Sequence, residues 1–369
     1  MIWVVIAVLP YFLVFLFLWT RKRQLNLKQK SHNTETGNIS YIFSVIIPLR
    51  NEAVNLPELI NDLSQQSLGS TQFEILFVDD NSTDSTREIF GITAGDKGNF
   101  RMIESQGKGK KAAIALGIEK ARGEYIVTTD GDCRVGKDWL KSIYCCVQDN
   151  EPDMIIGAVD IMDTGTVFNR IVQLEFLSLQ AVTEMSVKNG IPLMCNGANL
   201  CFRNPGAERY LEMVNPKIRS GDDIFLMESF KQEGKIIIWN DSAKNIVSTY
   251  GPDSVFTFFR QRIRWVSKSP YYRQPVLLSI SALVFLTNLL IASTLIASIF
   301  IPGLWLACLS MFLIKSVPDL ILIGDILDKR KKQGLLILFI PVQLIYPFYV
   351  IISGLSGIIK GLFSSQLGR

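Results

Sequence analysis

Asp130-Gly131-Asp132 sets two carboxylates one residue apart, directly after the apolar run Tyr125–Thr129. At the end of a strand, such a pair can hold one hard divalent cation, magnesium or manganese, against a diphosphate. Gly131 permits the close backbone turn between them. Asp79-Asp80-Asn81-Ser82-Thr83-Asp84 ends a second apolar run. Its carboxylates could accept hydrogen bonds from a base or a ribose, or Ser82 or Asp84 could simply cap a helix. Lys108-Gly109-Lys110-Lys111 opens a helical stretch. Lysine and helix N–H groups there suit phosphate, and a solvated turn accounts for them equally well; the pattern is not a Walker motif. Asp222-Asp223 precede Ile224-Phe225-Leu226. They could cap that helix, or Asp223 could act as the general base for an acceptor hydroxyl, with Asp222 in support. Gln261, Arg264 and Trp265 fall on neighbouring helical positions. The arginine could grip a diphosphate and the tryptophan wall an acceptor. A basic-aromatic membrane anchor is the rival reading, and Arg260, Arg262 and Lys268 are assigned to it.

Elements of two kinds must position these groups. Strands are expected at 42–48, 73–78, 101–104, 125–129 and 155–160, with a short one within 196–202. Helices are expected over 54–66, from Ser82 to Phe90, over 110–121 and, as a long amphipathic helix, over 167–188. Strands alternating with helices at this spacing predict an α/β domain with a mostly parallel central sheet. Ligands of such sheets lie beyond the carboxyl ends of the strands, where Asp79-Asp80 and Asp130–Asp132 fall.

Apolar residues make up 48% of the 369-residue chain, and they concentrate at its two ends. Residues 1–19 are almost unbroken apolar and are followed at once by Arg21, Lys22 and Arg23. Positive charge after the apolar run predicts an uncleaved anchor with its N-terminus outside. Three more spans are expected near 276–299, 303–324 and 335–357, with Asp328, Lys329, Arg330, Lys331 and Lys332 on the cytoplasmic side. The middle span carries Lys315 and Asp319, four residues apart and able to pair on one helical face; a re-entrant helix is the alternative there. The expected organisation is therefore an anchor at 1–20, a basic polar linker at 21–41 and a cytoplasmic domain at 42–253. An interfacial amphipathic helix at 254–274, about three transmembrane helices at 275–357 and a tail at 358–369 complete it. A net charge of +4, gathered beside the membrane segments, suits an anionic bilayer and not nucleic acid. The six cysteines lack zinc spacing, and the single histidine, His32, lies in the linker, which argues against histidine-based chemistry.

In their order and spacing these motifs resemble the family 2 glycosyltransferases. The resemblance runs from about Phe43 to Trp265 through Ser44-Val45-Ile46-Ile47-Pro48, Arg50-Asn51-Glu52, Val78-Asp79-Asp80-Asn81-Ser82-Thr83-Asp84 and Gly109-Lys110. It continues through Asp130-Gly131-Asp132, Asn196-Gly197-Ala198-Asn199, Asp222-Asp223 and Gln-x-x-Arg-Trp at Gln261, Arg264 and Trp265. It implies the GT-A nucleotide-diphospho-sugar transferase fold and inverting transfer from a UDP-sugar. By the same resemblance Pro48 and Glu52 border the nucleotide pocket, Asp79 meets the uracil and Asp80 supports the pocket; Lys110, from its charge at the helix start, is counted among the nucleotide-binding candidates. Asp132 is the direct metal ligand, with Asp130 by the ribose or the metal. Asp223 is the base, and Gln261, Arg264 and Trp265 close over the diphosphate and the acceptor entrance. Two positions depart from the family pattern: Asp222 stands where glutamate is common, and Ala115 where asparagine is common.

The last motif resembles those of ceramide glucosyltransferases and of poly-N-acetylglucosamine and hyaluronan synthases. Four crossings look few for a polysaccharide channel, although a homo-oligomer could supply more. The expected acceptor is a membrane lipid presented at the cytoplasmic leaflet of the plasma membrane. A growing glycan is the alternative, as is a catalytically degenerate membrane scaffold. The lack of long polar inserts suits a compact bacterial enzyme.

Overall fold

A computed structural model of the chain describes residues 5–22, 42–95, 97–106, 109–214 and 221–366. Most of the linker, including Arg23, Lys28, Lys30 and His32, lies outside the described residues, as does Lys108. The chain divides into two compact units. One takes residues 27–162 and 194–250, the other 1–26, 163–193 and 251–369.

The first unit is an α/β domain. Its strands are β1 (Phe43–Leu49), β2 (Phe73–Asp79), β3 (Phe100–Glu104), β4 (Tyr125–Thr128), β5 (Arg134–Val135), β6 (Met154–Ile156), β7 (Val159–Ile161), β8 (Leu200–Arg203), β9 (Ile237–Trp239) and β10 (Val247–Thr249). Seven form one sheet in the order β3-β2-β1-β4-β8-β6-β9, and β5-β10-β7 form a small second sheet. The large sheet is parallel except where β8 enters, antiparallel to both β4 and β6. Strand β2 is buried along its whole length, and β1 is buried except at Pro48, as strands covered on both faces must be. Helices supply that cover. Leu56–Ser64 buries Leu56, Leu59, Ile60 and Leu63, the one-face spacing of an amphipathic helix.

Register is what delivers the acidic groups. Strand β1 runs level with β2 from Phe43↔Phe73 to Leu49↔Asp79, and with β4 from Phe43↔Tyr125 to Ile46↔Thr128. Asp80 continues the edge, its N–H donating to Leu49 O at 2.7 Å. Asp130 lies two residues beyond Thr128, level with Pro48. The charged turns therefore leave the sheet at one carboxyl edge.

Two elements depart from the sequence expectation. The strand expected over 155–160 is two strands in different sheets, β6 and β7, separated by Gly157 and Ala158. Asn199 and Asn245 cause the break. Asn199 Nδ2 donates to Ala158 O (2.8 Å) and lies against Asn245, and a methyl group on Gly157 would fall 2.3 Å from either side chain. The helix expected from Ser82 begins at Thr86, because residues 80–85 bond outward instead. Ser82 Oγ accepts from Asn51 N–H, and Asp84 accepts from both Ala53 N–H and Thr86 N–H.

The second unit is helical. Its long members are Leu9–Lys22, Val167–Lys188, Val255–Val266, Pro275–Ala297, Leu304–Lys329 and Phe339–Gln366. Three segments, Pro275–Ala297, Leu304–Lys329 and Gln333–Phe363, are long and apolar enough to cross a bilayer, which makes this a multi-pass membrane protein. Leu304–Lys329 runs unbroken through Pro318. The N-terminal apolar helix is shorter in its described part. Residues 163–193 fall inside the stretch 42–253 expected for the transferase domain, yet they join this unit. The reason is apolar: Leu174, Leu177, Ala181 and Met185 share one buried cluster with Tyr11, Phe15, Leu18, Leu322 and Ile326. Part of the basic cluster is drawn inward as well. Lys329 Nζ meets Glu184 Oε1 at 2.5 Å, so this lysine bonds within the protein as well as carrying juxtamembrane charge.

Lys315 and Asp319 pair as their spacing predicts, at 2.6 Å. Gln343 bonds both of them, accepting from Lys315 (2.7 Å) and donating to Asp319 Oδ2 (2.8 Å), and Tyr11 OH donates to Asp319 Oδ1 (2.6 Å). The Lys315 ammonium, 1% exposed, also lies over the Tyr346 ring at 4.8 Å. Breaking one side of a buried pair strands the other charge, at a cost of roughly 3–5 kcal/mol, whereas an apolar replacement of both is often neutral. Asp319→Asn should lower the unfolding temperature in detergent. The double variant Lys315→Met/Asp319→Leu should lose less than the single one; equal losses would contradict a mutually dependent pair.

Candidate active site

The carboxyl edge of the large sheet gathers most of the sequence-derived candidates. Gly131 is needed there for space, since a methyl group on it would lie 2.7 Å from Leu49 Cδ2 and 2.8 Å from Glu52 Cγ. This close approach sets Asp130 and Asp132 beside Glu52. Burial raises the pKa of the Asp132 carboxyl, and the neighbouring Asp130 charge raises it further. Thr249 Oγ1, brought in by β10, donates to Asp132 Oδ2 at 3.3 Å. Burial likewise raises Glu52, with Asp132 and Asp130 adding to it, while Asn55 Nδ2 donates to its Oε2 at 2.8 Å and opposes the shift.

Lys110 Nζ pairs with Asp130 Oδ1 at 2.5 Å. Desolvation works against its charge, but Asp130, Asp222 and Asp223 together outweigh it and raise its pKa. Lys110 opens the helix Lys110–Lys120, whose preceding Gly109 has φ 92° and donates its N–H to Asp80 Oδ1 at 3.2 Å. Ala115, one of the two departures noted above, is buried in this helix.

Asp222 and Asp223 occupy the first turn of the helix Asp222–Gln232, where the helix dipole favours negative charge. Asp223 Oδ2 accepts from Gly197 N–H at 3.2 Å, and Oδ1 accepts from Ile224 N–H at 2.9 Å. The Gly197 carbonyl is held in turn by Thr128 Oγ1 at 2.7 Å. A methyl group on Gly197 would lie 3.6 Å from Asp223 Cβ and 4.0 Å from Lys110 Nζ. Lys110, Asp130, Asp223 and the 196–199 turn thus form one charged cluster.

Asp79 and Asp80 are nearly inaccessible, at 0% and 4% exposed. Arg87 Nε donates to Asp79 Oδ2 at 2.6 Å, while Asp79 Oδ1 is buried without a hydrogen-bond partner among the described residues. Asp80 also faces Arg50 at 3.8 Å. Pro48 is half-buried near the end of β1.

Gln261, Arg264 and Trp265 belong to the helical unit. They lie on the helix Val255–Val266, which starts at a reciprocal capping box between Ser254 and Thr257. Arg262 is not a membrane anchor, contrary to expectation. It is 3% exposed and ion-paired with Glu175. Lys268 is buried too, and of the three only Arg260 is exposed. Sequence reasoning missed Arg87, Thr249, Glu175 and the Gly197 N–H. Thr249 and Glu175 are far in sequence from the groups they meet, so no local pattern marks them. Arg87 stands eight residues after Asp79, on the following helix.

The donor set at Asp130 and Asp132 fits a divalent cation only in part. Among the described residues no group of three or more His, Cys, Asp or Glu side chains could hold a metal ion. A cation held by these two carboxylates would need its remaining ligands from substrate oxygens and water, as magnesium sites at phosphates commonly do. A carboxyl with a raised folded-state pKa favours the folded protein only while it is protonated. The wild type should therefore lose stability relative to Asp132→Asn as pH rises through that pKa, with the deficit largest near neutrality. Thermal unfolding of the two proteins in buffers from acid to neutral pH checks this; a constant offset between the curves would contradict it.

Residues 44–209 match the model for glycosyl transferase family 2. The chain is 30% identical over 190 residues to glycosyltransferase AglE of Haloferax volcanii, an alignment covering 51% of this chain and 60% of that protein. It is 32% identical over 120 residues to glycosyltransferase GlyG of Streptococcus pneumoniae, covering 32% of this chain and 39% of the relative. These matches span less than two thirds of either relative. Among solved structures, the mannosyltransferase PcManGT of Pyrobaculum calidifontis, determined with GDP-Man and Mn2+, superposes with a TM-score of 0.58. It covers 98% of this chain and 99% of that one at 15% identity, a likeness of fold. The mostly parallel sheet, the groups at its carboxyl edge and the family match agree. Over residues 44–209 the chain is similar to glycosyl transferase family 2.

Proposed function

We propose that this protein transfers a sugar, with inversion, from a UDP-sugar to the hydroxyl of a membrane-lipid acceptor at the cytoplasmic leaflet. The observation that carries this reading is the convergence of Asp130, Lys110 and Asp223 on the 196–199 turn, with Asp132 beside Asp130. The residues proposed as proton acceptor and as diphosphate-binding groups thereby share one edge of the sheet.

In the proposed reaction Asp223 takes the proton of the acceptor hydroxyl. The acceptor oxygen bonds to the anomeric carbon as that carbon's bond to the diphosphate oxygen breaks, and the nucleoside diphosphate leaves. The two hydrogen bonds on Asp223 fix the carboxylate for this role. Lys110, kept charged by its acidic neighbours, supplies positive charge to the departing diphosphate. Asp132 and Asp130 would hold magnesium or manganese, which supplies further neutralisation of the leaving group when bound. Asp79, with one carboxylate oxygen unpartnered among the described residues, offers an acceptor for a uracil N–H. Asp80 supports the Lys110 loop through Gly109, and Pro48 and Glu52 border the nucleotide. Gln261, Arg264 and Trp265 are assigned to the diphosphate and the acceptor by their motif alone. The lipid acceptor is supported by the three apolar helices, and the cytoplasmic side by the basic residues Lys329–Lys332.

The test incubates purified protein, manganese and total membrane lipid with radiolabelled UDP-sugars. GDP-mannose joins the panel because PcManGT was determined with it. A discrete labelled lipid formed from a UDP-sugar is the expected product. A polymer ladder would assign a processive synthase instead, and a product from GDP-mannose alone would overturn the UDP assignment. Asp223→Asn should bind the nucleotide as the wild type does and lose on the order of 10²–10⁴-fold in transfer rate, the range general-base catalysis contributes. Normal turnover in that variant would remove Asp223 from the role of base.

A further inference from the structure

The Gln-x-x-Arg-Trp helix holds an arginine that the motif does not name. Arg262 lies between Gln261 and Arg264 in sequence, yet it points into the protein. Its Nε donates to Glu175 Oε1 at 3.0 Å, and its Nη2 pairs with Glu175 Oε2. Tyr349, on the helix Phe339–Gln366, donates its hydroxyl to the same Glu175 Oε1 at 2.9 Å. The remaining nitrogen, Nη1, donates to Gln261 Oε1 at 2.5 Å. The guanidinium also lies 4.2 Å from the centroid of the Trp265 ring and 4.6 Å from that of Phe258. One fully engaged guanidinium therefore touches two of the three motif side chains and ties both to helices distant in sequence.

The planar fork explains why arginine fits here. It binds the carboxylate with two nitrogens, donates the third to an amide oxygen and offers its faces to aromatic rings; lysine can do only one of these at a time. Phe258 and Trp265 stand four before and three after Arg262, so all three share one helix face. The side chains of Gln261 and Trp265 have little freedom while this arrangement persists.

We propose that Arg262, anchored by Glu175 and Tyr349, is a positioning residue that holds Gln261 and Trp265 in the orientation used during sugar transfer. This rests on the proposed function, in which those two side chains act at the donor. Arg262 touches no substrate; it acts through its neighbours. A misplacement of about 1 Å in such groups is enough to lower turnover on the order of 10²-fold.

The experiment compares Arg262→Lys, Glu175→Gln and Gln261→Ala, singly and as the double Gln261→Ala/Arg262→Lys, in full-length protein that elutes as the wild type does in detergent. Arg262→Lys and Glu175→Gln should lower kcat roughly 10–100-fold with donor KM nearly unchanged, because the interaction is expressed in the transition state. The double variant should lose less than the two single losses combined, since Arg262 works in part through that residue and otherwise through Trp265. Additive losses, or wild-type turnover in folded Glu175→Gln, would overturn the proposal. Amide hydrogen exchange across 255–266 supplies a readout independent of the reaction. Faster exchange in Glu175→Gln supports the anchoring, and unchanged exchange overturns it. If the wild type transfers sugar from no donor, the proposed function fails and the exchange result alone judges the anchoring.

Discussion

Mutual repulsion among carboxylates is the constraint around which the α/β unit is arranged. Asp130, Asp132, Asp222, Asp223 and Glu52 crowd one edge of a sheet whose interior is apolar. The fold answers with a single well-placed ammonium and with directed hydrogen bonds. Lys110 neutralises Asp130 directly and feels both Asp222 and Asp223. The helix dipole and the Gly197 N–H attend to the pair at the helix start. Asp132 receives less relief: burial first, and then the Asp130 charge, raise its pKa. An edge left with excess negative charge is an edge prepared for a cation, and that is its role in the proposed chemistry.

Holding such groups at fixed separations requires a backbone that cannot drift. Parallel pairing of β1 with β2 and β4 sets the levels of the three turns that follow these strands. The turns are then pinned by buried amides. Asn199 accepts from Trp139 Nε1 and donates to Ala158 O, which locks the start of β8 against the break between β6 and β7. Asn199 closes the turn that contains Gly197, so the same network sits one short step from Asp223. Polar groups buried this deeply specify a geometry because every alternative leaves them without partners.

The helical unit applies the same economy in a more apolar setting. Hydrophobic packing between lipid-facing helices carries little orientational information. Two buried ionic networks supply it, one around Lys315 and Asp319 and one around Glu175 and Arg262. Tyr346 and Tyr349 stand between them on one helix, their rings 5.6 Å apart. Tyr346 faces the Lys315 ammonium and Tyr349 bonds Glu175, so the two networks are linked through one turn of helix.

The sequence by itself determined the α/β character, the apolar helices and the local chemistry of the acidic turns. Each of those is written in short-range pattern: apolar runs ending in Asp79-Asp80 or Asp130–Asp132, unbroken lipophilic stretches, and the four-residue spacing of Lys315 and Asp319. Only the tertiary structure decided three other matters. Thr249 reaches Asp132 across 117 positions, and Glu175 reaches Arg262 across 87. The expected strand 155–160 became two because Asn199 and Asn245, remote in sequence, occupy the space beside Gly157. Residues 163–193 left the surrounding α/β domain because their apolar face is buried among Leu322, Ile326 and Phe15. Local pattern fixes what a segment can be. Which partner satisfies a buried charge or an apolar face depends on contacts that no window of sequence contains.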